Sequence, residues 1–97
     1  MDLLRAIKAF SQVVESKSFV GAAERLDLST TAVSKYVADL ERHLQTRLLQ
    51  RTTRRLGLTE TGRAFHERCV QILAEVEEAE REAAQEVPHT PKAATTD

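Results

Sequence analysis

The chain has 97 residues, of which 41% are hydrophobic, 4% are aromatic and 30% are charged, and its formal net charge is −1. This length suits one small domain with a thin apolar core, and the near-zero net charge argues against a nonspecific nucleic-acid coat or a membrane-surface protein. No stretch predicts a membrane span or a secretion signal, and a single cysteine cannot form an internal disulfide.

The first predicted element is an amphipathic helix from about Asp2 to Glu15. Apolar side chains recur along it at helical spacing, which predicts a scaffold helix with one face on the core. The predicted stripe is Leu3, Ile7, Phe10 and Val14, with Leu4, Ala6 and Val13 beside it.

Two further helices are predicted in close succession, separated by a tight turn. Ser18 and Ser29 stand where N-cap residues belong, and Ala22 and Ala23 are small enough to let two helices cross closely. In the second of these helices, apolar residues recur with a period near 3.6, which predicts its buried stripe. That stripe is Val33, Val37, Leu40 and Leu44.

The opposite face of that second helix is small and lightly charged. Short donors, acceptors and methyl groups suit a helix that lies between base edges and phosphates, whereas a solvent face usually carries Glu and Lys. An ordinary polar helix face is the alternative interpretation. The residues of this face are Thr30, Thr31, Ser34, Lys35, Ala38 and Arg42.

A basic hairpin is predicted next, with residues 48–51 and 56–58 as short strands. Between residues 46 and 62 there are four arginines and one acid, so positive charge is concentrated here although the whole chain is almost neutral. A local basic patch supplies the sequence-independent part of DNA affinity, and an arginine at a hairpin tip can enter a narrow minor groove. Arginines that are only solvated are the alternative. The four are Arg47, Arg51, Arg54 and Arg55.

A long helix is predicted from Thr59, a candidate N-cap, to about Glu86, which is roughly 40 Å at 1.5 Å per residue. Its apolar residues recur at steps of four and three, a 3.5-residue period typical of a helix that packs against another helix. Because little chain is left to cover so long a stripe, we expect a homodimer. The expected dimer-interface residues are Phe65, Cys69, Ile72, Val76, Ala79 and Ala83.

The sequence therefore divides into a winged helix-turn-helix unit over residues 1–58, a linker and dimerisation helix over residues 59–87, and a tail over residues 88–97. The tail contains two prolines and no apolar anchor, so we expect it to be disordered. It is either a hinge that leads to a further domain or the end of a short regulator.

Two other classes of function agree less well with the sequence. His66 and Cys69 are three residues apart on one predicted helix, but a metal site needs three or four ligands, and no nucleophile motif or phosphate loop accompanies them. We therefore expect no enzyme activity, no metal and no cofactor. A coiled-coil interaction module without sequence-specific DNA binding would explain the long helix, but it would not explain the arginine hairpin.

Three consecutive segments resemble the N-terminal DNA-binding domain of LysR-type transcriptional regulators. They are SFVGAAERLDLSTTAVSKYVADLE, RLLQR and LTETG, which are similar in order and spacing to that family's helix-turn-helix, wing and start of the linker helix. The resemblance covers about residues 2 to 86. It implies a mainly α-helical fold, with a three-helix core, a short β-hairpin wing and a long dimerisation helix.

The resemblance also implies a function. It implies a bacterial or archaeal cytoplasmic regulator that binds a pseudo-palindromic operator in double-stranded DNA as a homodimer, with antiparallel linker helices and no membrane partner. An effector ligand is expected only if a C-terminal effector-binding domain, which this sequence does not include, exists in a longer chain.

Carried over residue by residue, the resemblance places Thr30, Thr31, Ser34 and Lys35 against bases and phosphates, and Arg54 in the minor groove. The family often has Gln-Pro at the first two positions and Arg at the fourth, so the target sequence cannot be inferred by analogy. A glycine usually follows its recognition helix, whereas this chain has Leu44-Gln45-Thr46. The full set of residues expected to contact DNA is Ser29, Thr30, Thr31, Ser34, Lys35, Arg51, Thr53, Arg54 and Arg55.

Overall fold

The computed structural model describes residues 1–51 and 56–85. Within these ranges the predicted architecture is confirmed, with helices in a helix-turn-helix, an antiparallel hairpin and a long last helix. The predicted contacts at Thr53, Arg54 and Arg55 and the predicted tail lie outside the described residues. The elements in chain order are α1 (Leu3–Ser16), α2 (Phe19–Leu26), α3 (Thr30–Leu44), β1 (Leu49–Arg51), β2 (Leu56–Leu58) and α4 (Glu60–Gln85).

The predicted N-caps of α2 and α3 are confirmed. The Ser18 hydroxyl accepts a hydrogen bond from the amide of Gly21 at 3.0 Å, and the Ser29 hydroxyl accepts one from the amide of Ala32 at 3.0 Å. The Asp2 carboxylate caps α1 in the same way. Each such cap stabilises a helix by about 1 kcal/mol, so the helix starts are specified locally.

Left-handed residues other than glycine end the first three helices. Lys17, Asp27 and Gln45 have φ angles of 57°, 58° and 58°. The backbone amide of Gln45 donates back to carbonyl oxygens of the last turn of α3, as a glycine at a helix C-terminus would. The turn into the wing is therefore made without glycine, at the cost of a left-handed conformation that glycine adopts more readily.

The hydrophobic core lies between α1, α2 and α3, with the start of the wing and one residue of α4 added to it. The predicted stripe of α3 is confirmed, except that Leu44 is only partly buried. The fully or almost fully buried apolar residues are Ala6, Ile7, Ala9, Phe10, Val13, Ala22, Ala23, Val33, Val37, Leu40, Leu48, Leu49 and Cys69.

The predicted buried stripe of α1 was wrong at its start. Leu3 and Leu4 are 44% and 36% exposed, and Ala9, which was not predicted, is fully buried. The other helices cover α1 only from Ala6 onward, so its first turn projects past the core. A helical periodicity shows which face is apolar but does not show where the neighbouring helices end.

The assignment of Cys69 to a surface between subunits is also corrected. Its side chain is fully buried within a single chain and belongs to the core, so it has no surface to offer a partner. Phe65, one turn earlier, is half-buried, and its ring centroid lies 5.9 Å from that of Phe10 on α1. The first turns of the apolar stripe on α4 thus pack against α1, and burial raises the pKa of the Cys69 thiol to about 11.

The second half of α4 leaves the core. Val76 is half-buried, and every residue from 77 to 85 is exposed in a single chain. No helix in the two described ranges combines the length and the apolar character needed to cross a membrane.

Candidate nucleic-acid interface

The outer face of α3 is open in a single chain. Thr30, Thr31 and Lys35 are exposed and Ser34 is half-buried, whereas the apolar stripe on the other side of the helix lies in the core. The polar face predicted from the sequence is therefore oriented away from the protein's interior and is available to a large ligand.

The N-terminus of α3 adds positively polarised amide groups to this face. The hydroxyl of Ser29 accepts from the amide of Ala32, and its carbonyl oxygen accepts from the amide of Val33 at 3.1 Å. The amides of Thr30 and Thr31, in the first turn, have no intrahelical acceptor. A helix N-terminus of this kind attracts anions, so this end of α3 is suited to contact a phosphate. Ser29 itself positions the start of the helix.

Lys35 does not stand alone on the α3 surface. Its ammonium nitrogen lies 3.2 Å from a carboxylate oxygen of Asp39, and the Arg42 guanidinium lies 2.7 Å from the other oxygen of the same carboxylate. Hydrogen bonds, first from Arg42 and then from Lys35, hold the pKa of Asp39 below its ordinary value. Sequence reasoning missed Asp39, although its spacing to the two cations predicts such pairs on a helix.

Glu41 joins α3 to the first strand of the wing. One of its carboxylate oxygens accepts hydrogen bonds from the amides of Leu48 at 2.8 Å and Leu49 at 3.1 Å, and it lies 3.9 Å from the Arg47 guanidinium. These bonds fix the direction in which the chain leaves α3 and enters the hairpin. Sequence reasoning missed this residue, because a contact across the turn at Gln45 has no periodic signal.

Thr59 and Gly62 join the wing to α4. The Thr59 hydroxyl accepts from the Gly62 amide at 2.8 Å and donates to the Arg47 carbonyl oxygen at 2.7 Å, and the Thr59 amide donates to the Leu48 carbonyl oxygen at 3.0 Å. The predicted N-cap is confirmed. A Cβ atom at Gly62 would overlap the carbonyl group of Leu48, so the close approach requires glycine at this position.

The hairpin pairs Leu49 with Leu58 and Arg51 with Leu56. Arg51 is exposed, and its guanidinium carbon lies 4.8 Å from the centre of the Phe19 ring at the start of α2. A cation over an aromatic face is attracted by the ring while its edge stays available for other partners. Arg51 therefore presents its charge at the base of the wing beside the helix-turn-helix.

The side chains weighed as metal ligands do not form a metal site in the described residues. No group of three or more His, Cys, Asp or Glu side chains is close enough there to hold an ion. The Cys69 thiol is buried, and burial raises its pKa to about 11, which disfavours the thiolate form that binds metal ions. His66 packs against the Phe10 ring, with its Nε2 atom 3.9 Å from a Glu15 carboxylate oxygen.

The chain is similar to known proteins along most of its length. Residues 4–63 match the family model described as bacterial regulatory helix-turn-helix protein, lysR family. An HTH-type transcriptional regulator of Xanthomonas campestris is 55% identical over 71 residues, which are 73% of this chain and 21% of that protein. An uncharacterized HTH-type transcriptional regulator of Haemophilus influenzae is 48% identical over 80 residues, which are 82% of this chain and 28% of that protein.

A solved structure matches most of this chain. The crystal structure of a BenM_DBD/catB site 1 DNA complex contains a chain that matches with a TM-score of 0.85 and 27% identity, over 94% of this chain and 100% of that chain. The present chain thus spans between 21% and 28% of the length of the two relatives above, but all of the chain in that DNA complex.

Proposed function

This chain belongs to the LysR family of bacterial regulatory helix-turn-helix proteins, and from that premise we propose that it binds double-stranded DNA sequence-specifically as part of a transcriptional regulator. The observation that carries the proposal is the open polar face of α3, bounded by the helix N-terminus and by a basic hairpin whose direction is fixed by Glu41 and Thr59.

The dimensions and chemistry of α3 support insertion into the major groove. An α-helix with its side chains is roughly 10–12 Å across, and the major groove of B-DNA is about 12 Å wide. Thr30, Thr31 and Ser34 supply hydroxyl and methyl groups for base edges, while Lys35 and the amides of the first turn are suited to phosphates.

The wing is proposed to lie along the adjacent backbone and minor groove. Arg51 holds a charge at the base of the hairpin, next to Phe19. The contacts of Thr53, Arg54 and Arg55 rest on the sequence and on the family resemblance. Arginines at such a tip favour a narrow minor groove, where the potential of DNA is most negative.

A homodimer formed through α4 completes the proposal. Ile72 is 38% exposed in a single chain, and the stripe continues through Val76, Ala79 and Ala83 onto the part of α4 that no other element of the described chain covers. A contiguous apolar stripe left uncovered on a helix beyond the core favours an intersubunit contact. Two copies related by a two-fold axis would present two recognition helices to a pseudo-palindromic operator.

The organisation of the chain follows from these roles. We assign residues 1–58 to DNA binding, residues 59–87 to the linker and dimerisation helix, and residues 88–97 to a tail or hinge. The proposal places the protein in the cytoplasm and contains no enzymatic step and no cofactor. An effector ligand belongs to the proposal only if this sequence is part of a longer chain, as the greater length of the relatives allows.

Selection of bound sites from a random duplex library, followed by titration of the selected duplex over a range of salt concentrations, tests the proposal. We expect one enriched motif with two-fold symmetry, and steep loss of affinity with added salt. Lys35→Ala should weaken binding to the selected site much more than Lys8→Ala, which removes the same charge from the exposed side of α1. Absence of binding at low salt would instead favour the coiled-coil interaction module.

A further inference from the structure

Asp39 is one of two acidic residues on α3, and it has no role in the DNA contacts proposed above. Asp39 pairs with Lys35 and Arg42 at once, at 3.2 Å and 2.7 Å. Building on the proposed function, we propose that Asp39 is a specificity-determining residue whose carboxylate competes with DNA phosphates for these two cations. It thereby weakens binding to random DNA more than binding to the operator.

The geometry of the three side chains supports this competition. Both cationic side chains are 72% exposed, whereas that of Asp39 is 20% exposed, so the carboxylate lies close to the helix surface with a cation reaching over it from each side. Residues 35, 39 and 42 follow one another at helical spacing along the edge of the outer face of α3. A phosphate that approaches this edge therefore meets cations that already have an anionic partner.

The two kinds of DNA binding depend differently on such cations. Binding to random sequence is almost entirely electrostatic and is driven by release of counterions when cations neutralise phosphates. Binding to the operator adds direct contacts from Thr30, Thr31 and Ser34, which have no ionic partner to lose. Those contacts hold the helix at one position on the operator, whereas on random DNA the helix can shift until its cations lie nearest to phosphates. A counter-charge on these cations therefore costs nonspecific binding more free energy than operator binding, and a repulsive element of this kind improves specificity.

Local helix stability is a weaker explanation of the same contacts. Ion pairs on a helix are more stabilising when the acid precedes the base, which holds for Asp39 and Arg42 but not for Lys35 and Asp39. Both pairs lie on the outer surface, where ion pairs contribute little to folding. A residue kept only for folding would change thermal stability when replaced and would leave the DNA preference unaltered.

The test compares Asp39→Asn with the wild-type chain on the selected operator and on a random duplex of equal length. We expect binding to the random duplex to become roughly threefold to tenfold tighter at 0.1 M salt, with a salt slope steeper by about one to two, because up to two cations become available for phosphates. Operator affinity should change less, so the ratio between the two affinities should fall.

Two controls separate this mechanism from a general effect of charge. Glu67→Gln removes one negative charge from an exposed position on α4 and should leave the ratio unchanged. In a Lys35→Met, Arg42→Met background, Asp39→Asn should lose its effect on the random duplex. The inference is overturned if Asp39→Asn acts no more strongly than Glu67→Gln, if it acts equally on both duplexes, or if its effect persists in that background.

The wild-type titrations distinguish this failure from failure of the proposed function. A wild-type chain that binds both duplexes equally would refute sequence-specific binding, and the inference with it. A clear wild-type preference that Asp39→Asn leaves intact would refute the inference alone.

Discussion

A Glu41 carboxylate oxygen accepts the hydrogen bond of the Leu48 amide at 2.8 Å, and it also accepts that of the Leu49 amide at 3.1 Å. The recognition helix and the wing are consecutive in the chain but are joined by a turn at Gln45 that adopts a left-handed conformation. One side chain of the recognition helix therefore sets the position of the wing relative to that helix.

Removal of this carboxylate is expected to harm both folding and DNA binding. Glu41→Ala leaves two amide groups without their acceptor, so we expect the free energy of unfolding to fall by about 2 kcal/mol or more. Glu41→Gln, which keeps one acceptor oxygen, should lie between this variant and the wild type. Chemical denaturation measures the effect. A loss no greater than that of Glu67→Ala, on the exposed surface of α4, would show that the contact is not structural.

Any side chain at Gly62, near the start of α4, is expected to destabilise the fold. A methyl group at Gly62 would collide with the carbonyl group of Leu48, so Gly62→Ala should lower the free energy of unfolding by about 1–3 kcal/mol. Gly57→Ala is the matched control, because a Cβ at that position has no atom of a non-neighbouring described residue within 4 Å. Thermal unfolding of both variants checks the prediction. It is wrong if the two variants have the same melting temperature.

The buried thiol is expected to be inert in the folded protein. Because burial raises the pKa of Cys69 to about 11, iodoacetamide at pH 8 should modify the folded chain far more slowly than the chain in denaturant. Mass spectrometry measures the rates. Equal rates of modification in the folded and the denatured chain would show that the Cys69 thiol is exposed on the surface.

The same thiol predicts a direction of pH dependence. Between the ordinary thiol pKa of 9.0 and about 11, Cys69 ionises in the unfolded chain but stays protonated in the folded one. The unfolded state then binds fewer protons, so the free energy of unfolding should fall as the pH rises through this window. Cys69→Ala should remove this part of the dependence. The assignment is wrong if the alkaline slopes of the two proteins coincide.

The exposed stripe of α4 is expected to hold two copies together. Ile72→Glu or Val76→Glu should give a monomer in sedimentation experiments and weak binding to the operator, because a charge would be buried in the contact. Val70→Glu places the same charge on another side of α4, at a residue that is 45% exposed, and should leave the dimer intact. A dimer that survives both stripe substitutions would remove α4 from the interface.

Features that depend on short stretches of sequence could be predicted. Ser18 and Ser29 cap their helices because a cap needs only an acceptor three residues before an amide, and the stripe of α3 follows from its period. The polar face of α3 follows from the same period, because it consists of the helix positions that lie opposite the buried stripe. Each of these signals is contained within one or two helical turns.

Features that depend on which elements meet could not be predicted. The sequence of α4 predicts one continuous apolar stripe, yet Cys69 is buried in the core of its own chain and Ile72 is exposed. The roles of Glu41 and Gly62 arise only when α3, the wing and α4 are brought together. Asp39 is the exception, since its spacing to Lys35 and Arg42 predicts both ion pairs from the sequence alone.

An NMR titration of the isotope-labelled chain with the selected operator shows directly whether α3 contacts DNA. If the outer face of α3 contacts DNA, the largest changes in amide chemical shift fall on Ser29 to Lys35, amides near Ala83 at the far end of α4 hardly change, and added salt reverses the changes on α3. Changes confined to α4, with the amides of the threonine- and serine-bearing face of α3 unaltered at saturation, would contradict DNA contact by α3.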